Sequence, residues 1–218
     1  MSLLQKHQSP LWGIWKIEEN WEELLSRMQH PESYLSVLNR YKSDVRKAEW
    51  LSVRVLLKEL TGSEMAISYL AGGAPYLKDS SLHISISHTK GYSAVLLSPE
   101  KPVGIDIEYR SERIHRIKSR FLSNAEWELL GDHPDTNDLL VCWSAKETVF
   151  KMLEQQTADL QNDIQIVEFQ PLKVSGIIVM QERLTPQLSV FQIQYSITPH
   201  FVVTLSCPLL APPVRQHL

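Results

Sequence analysis

The chain has 218 residues, 43% of them hydrophobic and 22% charged, with a formal net charge of −3. That is ordinary globular composition, enough for one large domain or two small ones, and its mildly acidic balance gives no reason to expect nucleic acid as a partner. Two cysteines, Cys142 and Cys207, both inside apolar runs, argue against a disulfide framework or a thiolate zinc site and read as core residues of a reduced protein.

In chain order, residues 1–10 carry Lys6, His7 and Gln8 where a signal peptide needs an apolar stretch. No later segment approaches the roughly 18 to 20 apolar residues that span a bilayer, so a cytoplasmic protein without membrane attachment is expected. Leu11 to Lys16 reads as a strand, and Trp21 to Met28 and Pro31 to Leu38 as helices. Asp44 to Leu60 is the clearest helix, with Asp44 as N-cap and Gly62 beyond its end. A turn-rich stretch, Ala71 to Pro75, leads to two alternating segments, Leu82 to Ser87 and Tyr92 to Ser98, which predict a hairpin around Thr89-Lys90-Gly91. A short strand at Gly104 to Glu108 follows Pro102, then helices at Ile114 to Phe121, Asn124 to Leu130 and Asp138 to Leu153. Residues 164–206 read as β-rich, and the tail after Cys207 as mobile. Trp50, Trp127 and Trp143 fall at apolar helical positions as core anchors, and Trp12, Trp15 and Trp21 are expected to pack against the first half.

Two short motifs carry chemistry. In Gly104-Ile105-Asp106-Ile107-Glu108 the alternation of a strand turns Asp106 and Glu108 to one side and the two isoleucines to the other. In Trp143-Ser144-Ala145-Lys146-Glu147-Thr148-Val149-Phe150-Lys151 a helix places Trp143, Glu147 and Lys151 on one face. Either motif alone has a plainer reading: Asp-x-Glu is commonly the solvated face of a strand, and Glu147 with Lys151 is a favourable surface ion pair worth about 0.2–0.5 kcal/mol. Taken together they describe three carboxylates and an ammonium around a Mg²⁺-bound diphosphate. An approximate internal repeat accompanies them. Placing Trp50 on Trp143 puts Arg54 on Glu147 and Lys58 on Lys151, and Tyr92 to Ser98 matches Phe201 to Cys207. The expected architecture is α+β, a pseudo-twofold pair of similar halves, residues 1–102 and 103–218.

The order of Gly73-Ala74-Pro75, Ser85-Ile86-Ser87-His88, Gly104 to Glu108 and Trp143 to Lys151 resembles the signature set of the 4′-phosphopantetheinyl transferases. The similarity is nearest to the monomeric, double-sized type that modifies carrier domains of peptide and polyketide synthetases. The resemblance implies a transfer of phosphopantetheine from coenzyme A to a serine of an acyl or peptidyl carrier protein, with Mg²⁺ as cofactor and adenosine 3′,5′-bisphosphate released. It implies an active site between the two halves, with cations drawn from the first, and Asp106, Glu108 and Glu147 as metal ligands. Glu147 is also the general base, directly or through water, and Lys151 the phosphate-holding catalytic cation. Ser87, His88, Lys146, Lys151 and Arg46 are the implied coenzyme A contacts, with His88 at the 3′-phosphate.

The basic run Arg110 to Phe121 interleaves cations with Ile114, Ile117 and Phe121. By pattern it is an amphipathic helix with a solvated basic face, and the resemblance makes Arg113, Arg116, Lys118 and Arg120 the docking side for an acidic carrier. Ala74 stands where the family commonly has lysine, leaving Lys78, Lys90 or Arg46 to supply that charge, and Thr148 stands where a smaller residue is usual. Two other readings stay open at this point: a metal-dependent phosphohydrolase acting on a diphosphate, and a non-catalytic relative that binds coenzyme A or a carrier.

Overall fold

The protein was analysed as a computed structural model that describes residues 2–100, 102–131, 133–153 and 157–206; Cys207 and the tail beyond it lie outside the described residues. The first half contributes a four-stranded antiparallel sheet in the order β1 (Leu3–Gln8), β2 (Leu11–Lys16), β6 (Tyr92–Ser98), β5 (His83–Thr89). Strand β1 was not legible beforehand: Lys6, His7 and Gln8 are exposed on an edge strand, where polar side chains are no obstacle. Helices α1 (Trp21–Ser26), α2 (Glu32–Leu38) and α3 (Asp44–Thr61) follow β2. The N-cap of α3 is Ser43 rather than Asp44, and Gly62 closes the helix at φ 78°, the left-handed conformation that favours glycine. The turn-rich stretch is the tip of a small hairpin, β3 (Ile67–Tyr69) with β4 (Pro75–Leu77).

The second half carries a five-stranded sheet ordered β7 (Ile105–Tyr109), β11 (Phe201–Ser206), β10 (Val190–Ile197), β9 (Ser175–Glu182), β8 (Ile164–Phe169). Between β7 and β8 lie α4 (Ile114–Ile117), α5 (Asn124–Leu130) and α6 (Thr136–Leu153). The expected single helix over 114–121 is instead the four-residue α4 and a 3₁₀ turn at Lys118–Arg120. The tightening buries Phe121 while Lys118 Nζ stays above the Trp127 ring, 4.2 Å from its centroid. Among the described residues no helix is long and apolar enough to cross a membrane.

Each sheet packs a long helix on one face. Leu51, Val55 and Leu56 of α3 bury against the first sheet with Trp15, Val95 and Leu97. Leu139, Cys142, Ala145 and Val149 of α6 bury against Ile178, Ile193 and Val202 of the second. A third apolar cluster joins the halves: Trp12, Ile14, Ala94 and Leu96 meet Ile105, Ile107, Phe201 and Val203. This accounts for the isoleucines of the acidic strand, both at most 1% exposed. Trp15 is buried with the first-half core and Trp21 packs against it, whereas Trp12 belongs to this shared layer. Trp127 and Trp143 pack half-buried against the second-half core, and Trp50 packs against the first while also lining a cleft.

A row of hydroxyls runs along the seam. The amides of Ile105, Ile107 and Tyr109, on the free edge of β7, donate to Ser85 Oγ, Ser87 Oγ and Thr89 Oγ1 of β5 at 3.0, 3.3 and 3.1 Å. Side chains thus satisfy an edge that backbone pairing would otherwise leave open. Gly104 opens β7 because nothing larger fits: a Cβ there would sit 2.5 Å from the Thr148 carbonyl oxygen and 2.7 Å from Met152 Cγ of α6. That close approach brings the acidic strand against the helix bearing Glu147 and Lys151.

Candidate active site

Asp106 is the fixed point of the site. It is 4% exposed, and both its oxygens are engaged. Ser87 Oγ and Lys151 Nζ each donate to Oδ1 at 2.8 Å, and Ser144 Oγ donates to Oδ2 at 2.8 Å. Lys151 Nζ also donates to the Ile105 carbonyl at 3.0 Å. Glu108, two residues along on the same face, accepts from Trp143 Nε1 at 2.6 Å. Burial, then the Asp106 charge, pushes the Glu108 carboxyl up to about 7, with Glu147 adding to the effect. Glu147 itself is raised by burial and by Asp106, with Lys151 pulling the other way. The face of α6 that carries Trp143, Glu147 and Lys151 therefore lies over Asp106 and Glu108, as the helical spacing predicts.

Glu108 and Glu147 are raised first by burial and then by the charge of Asp106 beside them, with one ammonium, Lys151, pulling the other way. The donors are all oxygens, a set that suits a hard divalent cation. Among the described residues no three His, Cys, Asp or Glu side chains converge closely enough to hold a metal ion unaided. Magnesium commonly takes one or two protein carboxylates and completes its shell with phosphate and water, so Asp106, Glu108 and Glu147 offer oxygens of the right type without closing a shell by themselves.

Next to this group opens a cleft of about 530 Å³ walled by α3, β5 and the β3–β4 hairpin, with Lys151 and Phe150 on its α6 side. His88 reaches it from β5. Its Nε2 lies 3.3 Å from Arg46 Nη1 and 3.9 Å from Glu49 Oε2. Burial is the main influence on His88 and lowers its pKa, Glu49 opposing and Arg46 assisting, which favours a neutral ring near pH 7. Arg46, one of the implied contacts, is thereby brought to His88, while its neighbour Lys47 turns away to Asp44 and the Trp21 ring.

Two expected coenzyme A contacts point elsewhere. Ser87 faces the seam and holds Asp106 instead of the cleft, a consequence of strand alternation: neighbours on β5 face opposite sides, so with His88 outward Ser87 must turn in. That signal was present in the sequence. Lys146 is fully buried on the far side of α6. Its Nζ meets Glu126 Oε1 at 2.6 Å and donates to the carbonyls of Leu160 at 2.7 Å and Ile164 at 2.6 Å. One position from Glu147 on a helix is a turn of about 100°, which takes the side chain into the core and away from the ligand side.

Residues that the sequence did not single out as ligand contacts also line the cleft: Tyr41, Trp50, Arg54 and Tyr69 join the expected Ala74 and Pro75. The only prior hint was the register that set Arg54 opposite Glu147. Of the alternatives for the missing lysine, Arg46 lines the cleft, whereas Lys90 lies over the Tyr109 ring. In the basic run Arg113, Arg116 and Arg120 are exposed.

Residues 102–205, from just before the acidic strand through β11, match the model of the 4′-phosphopantetheinyl transferase superfamily. No curated protein matches the chain.

Proposed function

We propose, from a 4′-phosphopantetheinyl transferase superfamily domain at residues 102–205, that this protein transfers phosphopantetheine from coenzyme A to a serine of an acyl or peptidyl carrier protein in the cytoplasm. The observation that carries the reading is the meeting of the two acidic motifs: Lys151 Nζ is 2.8 Å from Asp106 Oδ1, beside a cleft large enough for a nucleotide. The two sheets, each with its long helix, support a duplicated architecture in which residues 1–102 offer Arg46, Arg54 and His88 and residues 103–218 offer the carboxylates.

In the proposed reaction the carrier serine Oγ attacks the phosphorus bearing the pantetheine ester. A new P–O bond forms, the diphosphate P–O bond breaks, and adenosine 3′,5′-bisphosphate leaves with the bond's electron pair. The serine proton passes to Glu147, whose raised affinity for a proton suits it to act as base. Lys151 neutralises the phosphate oxygens and is itself held in place by Asp106. Arg46 and His88 orient the nucleotide with donors to phosphate. Asp106, Glu108 and Glu147 would offer carboxylate oxygens to Mg²⁺, which when bound would supply charge stabilisation for the diphosphate. Arg113, Arg116 and Arg120 present an exposed basic surface to an acidic carrier, with Lys118 more constrained by Trp127.

Chromatography of coenzyme A after incubation with the protein and Mg²⁺ separates this from phosphohydrolysis. The transferase reading predicts adenosine 3′,5′-bisphosphate only when an apo carrier domain is present. Equal release without carrier contradicts it and favours a hydrolase; coenzyme A left intact in both arms favours a binding protein.

A further inference from the structure

Asp106 stands at the end of a chain of buried hydroxyls. Ser144, Thr148 and Thr204 are each 0% exposed. Thr204 lies directly across from Asp106 in the antiparallel register of β11 with β7, and Ser144 and Thr148 share a face of α6 one turn apart. Ser144 Oγ is 2.8 Å from Asp106 Oδ2 and 2.8 Å from Thr204 Oγ1, which in turn is 2.7 Å from Thr148 Oγ1. The chain has one direction. A hydroxyl carries a single proton, and a carboxylate paired with an ammonium, as Asp106 is with Lys151, only accepts. Ser144 gives its proton to Asp106, so Thr204 must donate to Ser144 and Thr148 to Thr204. The other acceptor within reach of Thr148, the Thr204 carbonyl, is farther away at 3.4 Å.

All three hydroxyl dipoles therefore run toward Oδ2, and each polarises the next. Apolar side chains would fill this space without needing partners, as Val202, Val203 and Leu205 do elsewhere on β11. What the hydroxyls add is a fixed orientation of the Asp106 carboxylate, and the two oxygens differ in what that orientation leaves open. Oδ1 accepts from both Ser87 and Lys151. Among the described residues Oδ2 accepts from Ser144 alone, and a carboxylate oxygen has room for two such contacts.

We infer that Thr148 and Thr204 are positioning residues: acting through Ser144, they hold Asp106 so that Oδ2 receives a divalent cation. The inference rests on the reading of Asp106 as a cation ligand in the transferase site, and it assigns the two threonines no contact with coenzyme A or the carrier.

Mn²⁺ binding in the presence of coenzyme A, followed by the electron paramagnetic resonance of the free ion, tests this apart from turnover. The proteins compared are wild type, Thr204→Val, Thr204→Ser and Thr148→Val; valine keeps the shape and removes the hydroxyl, whereas serine keeps the hydroxyl. Mn²⁺ affinity should fall about threefold to tenfold in Thr204→Val, as loss of one hydrogen bond predicts, fall less in Thr148→Val, and recover in Thr204→Ser. The Mg²⁺ concentration for half-maximal carrier modification should shift by the same factors, with the KM for coenzyme A at saturating Mg²⁺ unchanged. Wild-type Mn²⁺ affinity in folded Thr204→Val overturns the inference whatever the fall in melting temperature, because the hydroxyl then serves packing alone; an equal loss in Thr204→Ser overturns it too. Should Thr204→Val fail to fold, Thr148→Val carries the comparison, and an affinity equal to wild type overturns the inference. Wild type that binds no Mn²⁺ also overturns it, and carrier modification persisting there leaves the transferase reading standing. The expected weakening in a protein that modifies no carrier upholds the hydroxyl chain and removes the transferase reading instead.

Discussion

Asp106 and Glu108 sit two residues apart on one strand face, yet their environments differ. Asp106 is met by two hydroxyls and an ammonium, while Glu108 has Trp143 Nε1 as its hydrogen-bond donor and two carboxylates as neighbours. The Glu108 carboxyl is held up to about 7 in the fold against an ordinary 4.5, so its stabilising contribution is fully present below about 4.5 and is lost as pH rises through about 7. Glu108→Gln, which still accepts from Trp143, should therefore melt above wild type at pH 8 and level with it at pH 4.5. Each kcal/mol relieved corresponds to roughly 2–4 °C in a protein of this size. The same offset at both pH values would show that ionisation of Glu108 is not the cause. Single-residue chemistry was legible wherever a period decided it: spacing of two gave Asp106 with Glu108, and spacing of four gave Glu147 with Lys151. It was not legible where the partner lies far along the chain, as Asp106 does for Ser87 and Glu126 for Lys146. Arg54 was legible only as a first-half cation in register with Glu147, since a helix pattern gives no sign that a cation on its apolar face borders a cleft.

Helix α6 works through opposite faces. One carries Glu147 and Lys151 to the site, and the other is anchored by Lys146 to Glu126 and to the carbonyls of Leu160, before β8, and Ile164, at its start. Glu126 is itself bound by its capping box with Ser123 and by the Ile166 amide, so the pair ties α5, α6 and β8 together. Lys146→Met leaves Glu126 buried without its cation and should cost roughly 3–5 kcal/mol. In the folded fraction the Kd for coenzyme A should change little. A large loss of coenzyme A affinity with normal stability would return Lys146 to the ligand site. The long helices and the acidic strand were readable from periodicity and caps. The 114–121 segment was not, because the spacing of Ile114, Ile117 and Phe121 fits one helix equally well, whereas in the fold Phe121 meets Trp143 edge-on and Lys118 lies over Trp127. Gly104 had no evident role in sequence; its reason is the Thr148 backbone 2.5 Å from where a Cβ would be.

Across the whole molecule, the site is assembled by a seam: the third apolar cluster and the hydroxyl row of β5 hold the cation-bearing cleft against the carboxylates. Helices α3 and α6 each pack on a sheet of their own half, and no pattern in one chain could foretell side-chain hydroxyls capping a strand edge. The proposed carrier surface belongs to this scale as well. Reversing Arg113 and Arg116 to Glu should raise the KM for the carrier several-fold, more at low than at high salt, and leave the KM for coenzyme A nearly unchanged, since exposed charges act on encounter and are screened. Carrier KM indifferent to both the reversal and ionic strength would move docking elsewhere. The central claim, that the two acidic motifs form one phosphopantetheine-transfer site, is tested most directly by the intact mass of an apo carrier domain after incubation with coenzyme A, Mg²⁺ and either wild type or Asp106→Ala. The account predicts a carrier heavier by one phosphopantetheine with wild type and an unmodified carrier with the variant. An unmodified carrier with wild type, or full modification by Asp106→Ala, would contradict it.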